Sequence, residues 1–199
     1  MENPVIIFGA GPVGRLAREI FESNGNVVYG FLDDNSKIHG TEIDDIQILG
    51  ATDDDGFLKL IGKKCEAFVA VDDNRLRKSL VKMLNEVRHI QPANAVHPRA
   101  AIASRAEIGH GNFIDASAEI APGAKLGSHN LIHAGTLIGV DVKLEDFVQV
   151  GAGSVIGAGV TIAAESFIGA GVVIVGGITL GKGCRVGAGS VVIADVKPG

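Results

Sequence analysis

The chain has 199 residues, 46% of them hydrophobic, and a formal net charge of −5. That is enough apolar sequence for one large or two small domains with true cores, and it excludes a disordered polypeptide. Scattered Lys and Arg leave no basic footprint for nucleic acid and no polybasic stretch for anionic lipid.

The start, "MENPVIIFGAG", has no basic segment ahead of its apolar run, and no uninterrupted apolar stretch of about 18 residues follows. The expectation is a soluble, cytoplasmic protein without membrane insertion. Cys65 and Cys184 belong to no CxxC pair and to no metal-ligand spacing, so reduced structural thiols and no metal are expected.

In chain order, the first predicted strand is Val5 to Phe8, directly before Gly9-x-Gly11-x-x-Gly14. A helical pattern with Leu16, Ile20 and Phe21 on one side follows it. A second strand, "NVVYGFLDD", ends on Asp33 and Asp34, about twenty residues beyond the glycines. Strand, glycine turn, helix and terminal carboxylate together suit a nucleotide: the glycines admit a phosphate to the helix N-terminus, and the carboxylate suits a ribose or base edge. A third strand, Glu66 to Val71, precedes a helix marked by Leu76, Leu80, Val81 and Leu84. This is one mononucleotide-binding half, a Rossmann-like α/β half domain, too small for the usual two-half dinucleotide fold. NAD-dependent redox chemistry is disfavoured.

Pro92 and Pro98 bracket the passage to a different pattern, placing the domains at 1–91 and 92–199. From Val96 to Val192 every sixth residue is Ile, Leu or Val, without a slip in phase. Four residues after each of these, from Ile102 on, comes a mostly small or β-branched residue, and Gly, Asp, Pro and Ser fill the turns. A period of six fits neither a helix nor simple alternation, but it fits a short strand followed by a corner. Three such units close one triangular coil. Stacked coils then place residue n over n+18, about 4.8 Å away, and build the core as an aliphatic ladder.

This pattern, [LIV]-G-x-x-[small]-x, resembles the hexapeptide repeat of left-handed parallel β-helix acyltransferases. The two parts together resemble the sugar O- and N-acetyltransferases of bacterial surface-glycan synthesis, the sialic acid O-acetyltransferase-like family that includes UDP-4-amino-sugar N-acetyltransferases. "GAGPVGR" looks like that family's GAGGHG(K/R), "GFLDDN" like its GFLDDD, and "AVDDNRLRK" like its IGDNxxR. The resemblance implies an all-β left-handed parallel β-helix after the α/β half domain, a homotrimer, and acetyl-CoA as donor. It places a UDP-sugar at Gly9, Gly11, Gly14, Asp33 and Asp34, with Asp73 and Asn74 close by. The acetyl-CoA groove would run along Gln149, Ala158 and Gly176.

One segment departs from the family. Where members carry a stretch like INxxAxIEHDxxIGDxVHI, this chain reads "IHAGTLIGVDVKLEDFVQV". Val140 and Gln149 stand at the family's two histidine positions, while Asp141 remains. Valine cannot accept a proton from an attacking amine or hydroxyl. His133 is a candidate replacement base, since it follows Asp115 by 18 residues and would stack on it as a carboxylate–imidazole pair. A surface histidine with an acidic neighbour is the simpler reading. His110, Ser128 and Asp146 stack at a different corner. The spacing of His110, His129 and His133 does not resemble that of the zinc ligands in trimeric β-helix carbonic anhydrases. Two functions therefore stand side by side: an acetyl-CoA-dependent acetyltransferase acting on an amino or hydroxyl group of a nucleotide-linked sugar, and a catalytically altered or inactive homologue that binds nucleotide sugar or CoA as a scaffold or regulator.

Overall fold

The computed structural model describes residues 3–199. The chain forms two compact units, Met1–Ala95 and Val96–Gly199. The division falls a few residues beyond 91, because the Ala93 N–H donates to the carbonyl of Ala67 and ties that stretch to the first unit.

In the first unit, β1 (Val5–Phe8) is buried throughout, as a parallel strand covered on both faces should be. It leads through the glycine turn into α1 (Pro12–Ser23), with Gly11 at the N-cap and Pro12 in the first turn. The buried face of α1 is Val13, Gly14, Ala17, Ile20 and Phe21. Leu16, expected with Ile20 and Phe21, lies at the edge of that stripe and is exposed. Strand β2 (Val28–Leu32) follows. Next come β3 (Glu42–Ile43) and β4 (Ile46–Gly50), an antiparallel pair that the hydrophobic pattern did not announce. Asp44 and Asp45 make the connecting turn with φ of 48° and 68°, the left-handed geometry of a tight hairpin that Asp tolerates.

After α2 (Asp55–Leu58), β5 covers Glu66–Val69, two residues shorter than the apolar run, and α3 covers Asn74–Met83. Leu80, Val81 and Leu84 are buried as the pattern requires, but Leu76 is exposed and Arg77 takes a place on the buried face. The sheet order is β3-β4-β2-β1-β5, parallel except for β3. The chain leaves β1 toward β2 on one side and returns to β5 on the other. That reversal opens a crevice beyond the carboxyl ends of β1 and β5, where ligands of open α/β sheets bind.

The second unit is the triangular prism that the period of six predicts. Two-residue strands recur from Ala95–Val96 to Val191–Val192 and pair in parallel to form three sheets. The register is Ile114↔Ile132↔Val150↔Ile168↔Val186, so each rung sits 18 residues from the next. Inside, Ile120, Ile138, Ile156 and Ile174 form one aliphatic column, and corresponding columns rise from the other two faces. At roughly 1.5–3 kcal/mol per fully buried aliphatic side chain, these columns are the main favourable term of a domain almost without aromatics. Small hexad residues fill the corners, among them Ala118, Ala124, Ser154 and Val160, all fully buried. Asn112 and Asn130 extend the stacking with polar side chains: the Asn130 N–H donates to Asn112 Oδ1 and the Val148 N–H to Asn130 Oδ1, at 2.9 and 2.7 Å. Gly157 shows why corners need glycine, since a Cβ there would lie 2.6 Å from the backbone nitrogen of Gly176 on the next coil.

Truncating a column residue leaves a void that neighbours on rigid coils cannot fill. Ile156→Ala is expected to destabilise the domain by about 2–5 kcal/mol, measured by denaturant unfolding.

Candidate functional site

In the first unit, a cavity of about 210 Å³ lies at the crevice, lined by the glycine turn, Asp33, Asp34, Thr52, the chain after β5, and Leu76 and Leu80 of α3. The three glycines have separate structural reasons. Gly9 has φ of 105°, and a Cβ on it would stand 2.6 Å from the carbonyl oxygen of Ala70, so the ends of β1 and β5 approach closely only without a side chain. Gly14 packs α1 on the strand: a Cβ would come within 2.1 Å of the Gly9 carbonyl oxygen. A Cβ on Gly11 would meet nothing within 4 Å, so this N-cap faces open space, and no side chain caps the first N–H groups of α1.

Both carboxylates of the Asp33–Asp34 pair have work within the protein. Asp33 Oδ2 accepts from the Ala10 N–H and Oδ1 from the Asn35 N–H, each at 2.9 Å. Its own carbonyl accepts from His39 Nε2 at 2.6 Å. Asp34 Oδ1 accepts from both the N–H and the hydroxyl of Thr52, at 2.9 and 2.7 Å. The pair thus holds the glycine turn and the end of β4 around the cavity while lining it. Thr52 and His39 were not legible as site residues, since the strand that delivers Thr52 was itself unannounced.

The expectation for Asp73 and Asn74 needs refinement. Val71 and Asp72 form the cavity wall, whereas Asp73 Oδ1 accepts from the Leu76 N–H at 2.7 Å as the N-cap of α3, and Asn74 Oδ1 accepts from Arg77. Arg77 is fully buried, and its Nη1 donates to the carbonyls of Val71 at 2.5 Å and Asp72 at 3.1 Å. Burial lowers its pKa to about 10 against the opposing pull of Asp72 and Asp73, so the guanidinium stays charged at neutral pH. The one signal in the sequence was a charged residue in the apolar phase of a helix.

In the prism, the remaining candidates separate into two groups. Val140, Ala158 and Gly176 stack at one corner on consecutive coils, joined by bonds from Gly159 N–H to the Val140 carbonyl and from Gly177 N–H to the Ala158 carbonyl, at 2.8 and 2.9 Å. Val140 is 46% exposed, and the column tapers from Val through Ala to Gly. Asp141 turns this corner with φ of 56°, its carboxylate lying over Gly123 one coil earlier, where a Cβ would be 2.1 Å from Oδ1. His133 and Gln149 form the second group, on a different face. Gln149 Nε2 is 3.4 Å from His133 Nε2, and the half-buried imidazole packs beside the ring of Phe113, centroids 5.8 Å apart. The register Ile114↔Ile132 sets Asp115 beside His133 on the neighbouring rung. The strand Leu137–Ile138 separates this group from Val140 along the coil. His110, Ser128 and Asp146 do stack at a further corner: the His110 N–H donates to Ser128 Oγ and the Ser128 N–H to Asp146 Oδ1. His129 is buried there, stacked on Phe147 at 4.9 Å. Cys65 and Cys184 are buried free thiols. Among the described residues no group of His, Cys, Asp or Glu is arranged to hold a metal, and no helix is long and apolar enough to cross a membrane.

Over residues 4–84 the chain matches the family described as the PglD N-terminal domain. No curated protein sequence matches it. Among solved structures, perosamine N-acetyltransferase from Caulobacter crescentus, a histidine-to-asparagine mutant in complex with CoA and GDP-perosamine, is 26% identical. It superposes with a TM-score of 0.91 over 100% of this chain and 92% of its own. The acetyltransferase domain of PglB from Neisseria gonorrhoeae, in complex with acetyl coenzyme A, is 23% identical with a TM-score of 0.88, covering 99% of this chain and 94% of its own. WeeI from Acinetobacter baumannii is 22% identical with a TM-score of 0.84, covering 98% and 94%. The latter two share the fold, an α/β half domain followed by the left-handed β-helix that the resemblance implies.

Because Gly14 packs directly on the Gly9 carbonyl, Gly14→Ala must part α1 from β1. The expected result is a melting temperature lowered by several degrees in thermal unfolding.

Proposed function

We propose that this chain, which carries the two domains of the hexapeptide-repeat sugar N-acetyltransferases, transfers an acetyl group from acetyl-CoA to an amino group of a nucleotide-linked sugar. The observation that carries this reading is the full-length match to perosamine N-acetyltransferase, which was solved with CoA and GDP-perosamine, together with the cavity at the glycine turn. On the resemblance of its motifs the sugar is UDP-linked, and the perosamine enzyme makes a GDP-linked sugar the second acceptor to test. The cytoplasm is the proposed location.

Gly9, Gly11 and Gly14 let the nucleotide approach the N-terminus of α1, and Asp33 and Asp34 hold the turn and face the ribose or base. Asp73 and Asn74 act through the end of the wall formed by Val71 and Asp72. Gln149, Ala158 and Gly176 contribute to the acetyl-CoA groove. The tapering column of Val140, Ala158 and Gly176 suits a groove wall, because it leaves progressively more room along the prism edge. A homotrimer brings the corner of one prism against a face of the next. Support for it comes from an exposed aliphatic row on one face, in which Val155, Val173 and Val191 follow Leu137 rung by rung.

In the transfer, the amine lone pair attacks the thioester carbonyl, the nitrogen gives up a proton to the base, the carbon–sulfur bond of the tetrahedral intermediate breaks, and CoA leaves as the thiolate, which takes up that proton. Backbone N–H groups at the glycine-rich corners stabilise the oxyanion. A sugar amine with a lowered pKa is partly neutral in water, so positioning alone supports a slow reaction. His133 is the proposed base and Asp141 the carboxylate retained at the catalytic corner. Val140 supplies no basic group at the position where similar enzymes carry histidine.

Release of CoA thiol from acetyl-CoA with UDP- and GDP-linked 4-amino sugars tests the reading. Turnover above the no-acceptor background is expected, and its absence with both acceptors would count against acetyl transfer. Val140→His is expected to raise kcat by about 10²-fold if the surrounding groove is intact, with His133→Ala lowering the wild-type rate by about the same factor. An unchanged rate in His133→Ala would remove His133 as the base.

A further inference from the structure

A buried arginine is costly unless its donors are fully used, so its partners tell what it is for. Arg77 has no exposed surface, and its guanidinium gathers the carbonyls of Val71 and Asp72 and the side-chain oxygen of Asn74. These belong to the turn that follows β5, the side of the crevice opposite the glycine turn, and Val71 and Asp72 line the cavity. In a planar trans peptide the N–H points away from its carbonyl. With the carbonyls of Val71 and Asp72 drawn inward to Arg77, the N–H groups of Asp72 and Asp73 are turned the other way. Neither N–H meets an acceptor in the protein among the described residues.

We propose that Arg77 is a positioning residue for nucleotide recognition: by drawing two successive carbonyls inward, it presents the Asp72 and Asp73 N–H groups to acceptor oxygens of the bound nucleotide. Those acceptors are base carbonyl or phosphoryl oxygens. Across the cavity from the N–H groups at the start of α1, the polar side chain of this wall is the Asp72 carboxylate, which repels such oxygens. The inference rests on the nucleotide-sugar reading above and adds to it a second donor side of the cavity. A guanidinium is needed because its planar fork reaches separate carbonyls at once, which a lysine ammonium at the end of a flexible stem does not reproduce.

The test is titration calorimetry of the full chain with GDP, UDP and CoA as separate probes, on wild type, Arg77→Lys, Arg77→Gln and Asn74→Ala. Arg77→Lys and Arg77→Gln are expected to weaken the better-binding nucleotide by at least about tenfold while CoA affinity stays within about twofold; Asn74→Ala, which removes one side-chain partner of the guanidinium, gives a smaller loss in the same direction. In turnover, KM for the nucleotide sugar rises in Arg77→Lys while KM for acetyl-CoA is unchanged. If Arg77→Gln fails to fold, Arg77→Lys and Asn74→Ala decide. Nucleotide affinity unchanged in Arg77→Lys, or CoA affinity lost in parallel, overturns the proposal. A wild-type chain that binds neither nucleotide overturns the underlying reading, and this one with it, and is distinguished by appearing before any substitution is made.

Discussion

The vertical register of the prism, residue n over n+18, is the constraint on which the second domain depends. It places Ile on Ile through the core, from Ile120 to Ile138 to Ile156 to Ile174. The same register decides which surface residues become neighbours. Val140, Ala158 and Gly176 are far apart in sequence and adjacent at one edge because the coil returns every 18 residues. A single insertion inside a coil would carry all later corners out of line, so the aliphatic phase and the placement of the candidate site are one property.

The first domain works by a different economy, that of close backbone approach. Gly9 lets β1 come against the end of β5, and Gly14 seats α1 on Gly9. The polar groups at the sheet's carboxyl edge are then tied to one another: Asp33 to Ala10, Asp34 to Thr52, Arg77 to Val71 and Asp72. The cavity is what remains open after these ties are made. A carboxylate that braces the glycine turn is also fixed in orientation toward a ligand, and this economy of roles explains why so small a sheet can present a defined site.

What could be read in advance followed from periodicity and glycine spacing. The hexads from Val96 to Val192 give strands, coils and register directly, since each position repeats the same physical demand. The turn Gly9 to Gly14 was legible for the same reason, as each glycine answers a steric need. The hairpin of β3 and β4 was not, because its strands are short and its turn is carried by Asp44 and Asp45 instead of the Asn-Gly or Asp-Gly signal. Arg77 was missed because a charge on an apolar face reads as an interruption until its partners are seen. His133 and Val140 were both noted from the sequence, and the register explains why they occupy different parts of one prism: the strand Leu137–Ile138 lies between their corners.

The central claim is that the amine of a nucleotide-linked sugar receives the acetyl group of acetyl-CoA on this chain. Mass spectrometry of the acceptor after incubation with acetyl-CoA deuterated in its acetyl group tests it most directly. The account predicts an amide on the sugar that carries the deuterated acetyl and appears only with protein present. An acceptor recovered unlabelled, while perosamine N-acetyltransferase labels its own acceptor in the same buffer, would contradict it.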